Sequence, residues 1–215
     1  MTEKEILKDY LLQIGILYKR CIEIGGTGID SILTDLIFDY NFHGLFFDIN
    51  DKKIYIAIDY YRAKDKLDLI TLVNGKVTVE NISFIIKSLI KYNNNYIDVL
   101  VVNIKNNGYW ILKEFLKYIY PRIIIIKYQP YIPPDRALIV PFDPCFNYKE
   151  YGDLEYYGAS IKAYTLLLKD YKCVYYNNSK AFFISTIEKS IDYNYDKKLY
   201  NKFLLIKDLP WIDLK

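Results

Sequence analysis

Two stretches of this chain, Ile97–Ile104 and Arg122–Tyr128, are almost uninterrupted runs of apolar residues with no polar alternation. A strand that faces water on one side alternates, so strands of this kind must be buried on both faces. Between them the apolar spacing turns helical. Tyr109–Ile119 carries Leu112, Phe115, Leu116 and Ile119 inward, and a segment that Thr78 would cap carries Ile82, Ile85, Ile86, Leu89 and Ile90, with Glu80 in its first turn. Buried strands alternating with amphipathic helices predict an α/β fold, a mostly parallel sheet covered on both faces.

The rest of the chain extends that pattern. Ile6, Leu7, Tyr10, Leu11, Ile14 and Leu17 form a helical stripe, and the short run Cys21–Ile24 stops at Gly25-Gly26-Thr27-Gly28. A helical spacing (Ile32, Leu36, Ile37, Tyr40), a strand-like run Gly44–Ile49 and a strand over Leu67–Val73 follow. After a Pro-rich loop (Pro130, Pro133, Pro134, Pro141, Pro144) come a helix over Tyr157–Lys169 and two strands, Tyr171–Tyr176 and Ala181–Ser185, joined as a hairpin. A parallel sheet closing in a C-terminal antiparallel hairpin is the arrangement of Rossmann-like methyltransferases. Residues 1–185 read as that domain. Residues 186–215, with Tyr193, Tyr195 and the apolar close Phe203–Leu205 through Trp211-Ile212, read as a tail. It is either an extra layer on the domain or a contact for a homo- or hetero-oligomeric partner.

Composition narrows the chemistry. Twenty-nine Lys+Arg against 26 Asp+Glu leave a net charge of +3 in 215 residues, too small for a dedicated nucleic-acid binder. Three cysteines (Cys21, Cys145, Cys173) and one histidine, His43, argue against a Cys/His metal site and against a disulfide framework. The start has no signal-peptide pattern, and the longest purely apolar run, Ile123–Ile126, is far below the ~20 residues of a membrane span. The expectation is a cytoplasmic protein without a membrane or metal. The 24 tyrosines, with abundant Ile, Asn and Lys, follow from A/T-rich codons or else supply ring platforms for sugars or bases. A large DNA virus is one A/T-rich source, in which case the protein is virion-associated or cytoplasmic.

In an open α/β sheet, ligands bind outside the carboxyl ends of the strands. The residues there are Glu23 with Gly25, Gly26 and Gly28, then Asp48, then Asn103 through Gly108, and Lys127-Tyr128-Gln129. The glycine loop is either a tight turn or a backbone cradle for a ligand at a helix start. Asp48 is either a solvated strand end or a carboxylate for ribose hydroxyls.

Several segments together resemble the FkbM-type group of S-adenosylmethionine-dependent methyltransferases, over about Ile22 to Ser185. They are Cys21–Gly25, Gly44–Asp48, Val77–Ile82, Ile97–Leu100, Gly108-Tyr109-Trp110 with Pro121-Arg122-Ile123, Val140–Pro144, Tyr156–Ser160 and Ala181-Phe182-Phe183. The resemblance implies a cofactor held by Glu23, Gly25, Gly26, Gly28 and Asp48. It places Asn103, Lys105, Asp143 and Tyr157 at the catalytic and acceptor positions, with a sugar or glycoconjugate as acceptor. The chain also departs from the family. The usual D-x-D-G-N-D-Y-W after the fourth strand reads Asn103 to Trp110 without its acids, and E-Y-N after the fifth reads Lys127-Tyr128-Gln129.

An asparagine cannot take a hydroxyl proton as a carboxylate does. A lysine at ~4 Å from a sulfonium, at an effective dielectric near 20, opposes binding by up to ~4 kcal/mol. Lys105 and Lys127 would favour an anion instead, unless both swing into water. Three functions follow: a degenerate, structural or regulatory methyltransferase-fold protein; an active O-methyltransferase; or an anion or nucleic-acid binding module, which the small net charge disfavours.

Overall fold

The computed structural model describes residues 1–89, 95–154, 156–188 and 209–214. Helix α1 (Glu3–Ile14) opens on a capping box, in which Thr2 Oγ1 accepts from Glu5 N–H and Glu5 Oε2 accepts from Thr2 N–H. It buries Ile6, Leu7, Tyr10, Leu11 and Ile14 and ends at Gly15 (φ 76°). Leu17 of the expected stripe therefore lies past the helix and is exposed.

The order continues β1 (Arg20–Ile24), α2 (Thr34–Tyr40), β2 (His43–Asp48), α3 (Asp51–Ala63), β3 (Ile70–Asn74), α4 (Ile82–Leu89), β4 (Tyr96–Val102), α5 (Gly108–Phe115) and β5 (Tyr120–Lys127). A short β6 (Leu138–Ile139), α6 (Ile161–Leu167), β7 (Tyr171–Tyr176), β8 (Lys180–Ser185) and β9 (Ile212–Asp213) complete it. Seven strands form one sheet in the order β3-β2-β1-β4-β5-β8-β7. Strands β1 to β5 are parallel; β8 runs antiparallel between β5 and β7. This is the Rossmann-like methyltransferase fold, with β7 and β8 as the antiparallel hairpin.

Both faces of the central strands are buried, as their unbroken apolar sequence demands. Ile22 and Ile24, Leu100 and Val102, Ile124 and Ile126 pack into the core that contains residues of α4, α5 and α6. Cys21, Val99, Val101, Ile123 and Ile125 point the other way, into the core built with α1, α2 and α3. No helix among the described residues is long and apolar enough to cross a membrane.

Several boundaries differ from the sequence expectation. Helix α3 has no counterpart in it, although Asn50 caps Lys53 N–H and Ile54, Ala57 and Tyr61 face the core. Leu67–Leu69 is a 3-10 turn, so β3 starts only at Ile70. Thr78 sits one turn too early to cap α4: its N–H donates to Asn81 Oδ1, and Asn81 precedes the helix. The expected Tyr157–Lys169 helix is shortened to α6, because Ser160 Oγ accepts from Ala163 N–H and Leu138 N–H. That holds Ala159 in an extended bridge to Ile139. Ile90, Tyr193, Tyr195 and Phe203–Leu205 lie outside the described residues. Residues 209–214 dock on the loop after β5: β9 pairs with β6, and Trp211 packs edge-on against Tyr156 at 4.6 Å.

Candidate functional site

The loops after β1, β2, β3 and β4 surround two cavities that meet at Gly25 and Asp48. One, about 140 Å³, has largely apolar walls, among them Phe47, Ile49, Val77, Ile104 and Phe142. The other, about 360 Å³, is polar and includes Glu23, Gly26, Ser31, Lys53, Asn103 and Lys180.

Gly25 and Gly26 both donate their N–H groups to Phe47 O, at 2.8 and 3.1 Å, which folds the loop down onto β2. Gly25 has φ +90°, and a Cβ there would lie 2.7 Å from Asn103 O. A Cβ on Gly26 would collide with the Glu23 carboxylate. These two glycines thus serve a tight turn that also forms cavity wall. Gly28 is different: it lines neither cavity, and a Cβ there would strike Tyr61 and Phe46, so it is a packing glycine. The expected helix start is also absent at this loop, since α2 begins only at Thr34.

Glu23 is buried, with Ser31 and Asn103 hydrogen-bonding to its carboxylate and Oε2 left without a partner. Burial pushes its pKa up; those two bonds and the charge of Lys180 pull against the shift, and Asp48 adds to it. Asp48 ends β2, almost wholly buried. Its Oδ1 accepts from Asn50 N–H at 2.9 Å, while Oδ2 lies 3.8 Å from Lys53 Nζ, beyond hydrogen-bond length. The second oxygen therefore keeps acceptor capacity beside the apolar cavity.

The expected catalytic positions are dispersed. Asn103 lines the polar cavity. Lys105 lines neither; its ammonium rests over the rings of Tyr157 and Tyr148, 4.5 and 4.9 Å from their centroids. Tyr157 is thus a buried partner of Lys105 and lines neither of these two cavities. Asp143 is exposed, and its Oδ1 accepts from Cys145 N–H in a local turn. Lys127 stands opposite Lys180 in the β5–β8 ladder and lines neither cavity. The lysines that line the two cavities are Lys53, Lys76 and Lys180, with Lys180 paired to Glu3 at 2.7 Å; Lys105 and Lys127, expected to repel a sulfonium, line neither. Of the expected anion-binding pair, Lys105 rests over Tyr157 and Tyr148, while Lys127 sits at the end of β5.

Sequence reasoning gave no site role to Ser31, Lys53, Lys76, Val77 or Phe142. Phe142 and Val77 do sit in segments that carry the resemblance, which was the one available signal.

No family model matches the chain, and no curated protein matches its sequence. Among solved structures, it is similar to a putative sarcosine dimethylglycine methyltransferase from Galdieria sulphuraria, with 13% identity and TM-score 0.49, over 79% of this chain and 61% of that one. It is similar to an O-methyltransferase from Bacillus cereus in complex with SAH (16%, TM-score 0.44, 58% and 55%). A SAM-dependent methyltransferase from Geobacter sulfurreducens in complex with S-adenosyl-L-homocysteine gives 17%, TM-score 0.42, 62% and 51%. The chain spans between about half and three-fifths of the length of these three structures. Such likenesses concern the path of the chain, so function has to be argued from its own residues.

Proposed function

We propose that this chain binds S-adenosylmethionine or its demethylated product in the joined cavities, and that it is a catalytically weak or inactive methyltransferase-fold protein with a structural or regulatory role. One observation carries the reading. The nucleoside half is intact, with an apolar cavity for a base beside the half-satisfied Asp48 carboxylate for ribose hydroxyls, while the loop after β4 offers Asn103 and an engaged Lys105 where a proton acceptor is needed. When bound, the cofactor supplies an electrophilic methyl group; the chain's own residues would orient its nucleoside.

The FkbM-type subtype belongs to this proposal. It is supported by where its segments fall: Gly44–Asp48 in β2, Val140–Pro144 against the apolar cavity, and Ala181–Phe183 in β8. The alternative, an active O-methyltransferase on a sugar or glycoconjugate, is favoured by the unpartnered Glu23 Oε2 in a carboxyl whose raised pKa suits proton transfer. An oligomeric role for the tail is tested by the solution mass of the chain truncated after Ser185.

The deciding experiment is thermal melting with S-adenosylhomocysteine, followed by transfer of labelled methyl groups to a glycan panel. A ligand at ~100 times its dissociation constant adds about 2.7 kcal/mol, here a rise of roughly 5–10 °C. The proposal expects that rise, its loss in Asp48→Ala, and no methyl incorporation. An unchanged melt removes the binding reading, and a methylated glycan removes the inactive one.

A further inference from the structure

Residues of the loop after β4 and of the start of α5 tie down a neighbouring segment. After β6 the chain crosses the carboxyl edge of the sheet as a strap, residues 140–148, whose Phe142 and Pro144 form part of the apolar cavity wall. On one side, Trp110 Nε1 donates to Val140 O at 2.9 Å, Asn107 Nδ2 to Asp143 O at 2.7 Å, and Tyr148 N–H to Asn106 Oδ1 at 3.2 Å. On the other, Lys76 Nζ, from the loop after β3, donates to Pro144 O at 3.2 Å. The strap is therefore pinned to both walls of the cavity.

A carbonyl can only accept, so the bond to Asp143 O fixes the Asn107 amide and leaves its buried Oδ1 without a partner. The cavity, about 140 Å³ and open to solvent on one side, is close to the size that admits a single benzene ring in an apolar interior. A fused purine is larger, and an outward shift of the strap would make room for all of it between the walls. The Lys76 tie is exposed and is the one to release first.

We propose that Phe142 is a binding residue of this cavity and that the strap carrying it is a movable wall, which lifts to admit a flat aromatic base and closes the Phe142 ring against it. The Phe142 ring is placed for this: 39% exposed, lining the cavity, and held edge-on to Trp110 at 6.0 Å. The inference rests on the reading that an adenosyl compound binds here.

Its test is S-adenosylhomocysteine titrated into the full chain by calorimetry. Stopped-flow fluorescence is read alongside in a Trp211→Phe background, where Trp110 is the remaining indole. Phe142→Ala is expected to weaken binding about tenfold, with Phe142→Tyr close to wild type. Lys76→Ala speeds both association and release, and Trp110 emission changes as ligand binds. Phe142→Leu keeps apolar bulk without the flat ring and stands in if the alanine variant does not fold. Wild-type affinity in Phe142→Ala or Phe142→Leu overturns this inference alone. So does Trp110 emission that ignores the ligand. No binding by the wild-type chain overturns it together with the parent reading.

Discussion

At the amino ends of β4 and β5 lies a charged cluster as deeply buried as Glu23, but differently treated. The Asp98 carboxylate, fully buried, accepts from the N–H groups of Leu17, Tyr18 and Lys19 and from Arg122 Nη1 at 2.9 Å. Arg122 in turn donates to both Glu188 oxygens and to Ile14 O. At the carboxyl ends of the same sheet, Glu23 Oε2 and Asn107 Oδ1 have no partner, and Gly25 is held at φ +90°. Saturated networks hold a scaffold together. Unmet polar groups beside a cavity mark the place where a ligand can complete the bonding. The difference separates a saturated, structural end of the sheet from an end whose polar groups remain open.

The largest effect should come from the structural end. Asp98→Ala leaves Arg122 facing a hole and three N–H groups without an acceptor, for a loss of about 3–5 kcal/mol in urea unfolding. A loss below about 1 kcal/mol would put the two ends on a par. Gly25→Ala comes next, at about 1–3 kcal/mol, from a side chain at positive φ pressed onto Asn103 O. It should also weaken S-adenosylhomocysteine binding, because both cavities share Gly25.

Glu23→Gln sharpens the comparison by pH. The folded-state pKa of Glu23 is raised, so the wild type loses stability as pH climbs from the unfolded-state value through the folded one. The variant should melt about 2 °C or more above wild type at neutral pH, and the gap should close as pH falls to about 4. A gap that widens in acid would mean that the carboxylate is stabilised by its neighbours and not strained by burial. Lys105→Met has the smallest expected effect, under about 1 kcal/mol, since it removes a partly exposed cation–π contact and keeps the apolar stem. Calorimetry should find its S-adenosylmethionine affinity unchanged; tighter binding of that sulfonium would mean that Lys105 repels it after all.

The buried strands were legible because they are nearly all apolar on both faces, and the strand-end rule named Glu23, Gly25, Gly26, Asp48 and Asn103, which line the two cavities. Helix α3 escaped because its buried set is only Ile54, Ala57 and Tyr61, while Tyr55 and Ile56 are apolar yet exposed, which blurs the period. Gly28 packs against Tyr61 and Phe46 and lines neither cavity, and a glycine required by packing reads the same in a sequence as one required by a ligand. Lys105 shows the same limit of a sequence reading. It does follow β4, but the rings that take its ammonium come from the end of the strap, Tyr148, and from Tyr157 beyond it.

Sequence alone determined the layers of this protein, because strand and helix burial repeat over a few neighbouring residues and leave a periodic trace. Only tertiary structure decided the site. Glu23 from β1, Asp48 from β2, Asn103 after β4 and Lys180 from β8 share a cavity through strand order. The other cavity is walled by a bond between Asn107 and Asp143, 36 residues apart. Contacts at that separation depend on how loops cross in space, and no local period records them.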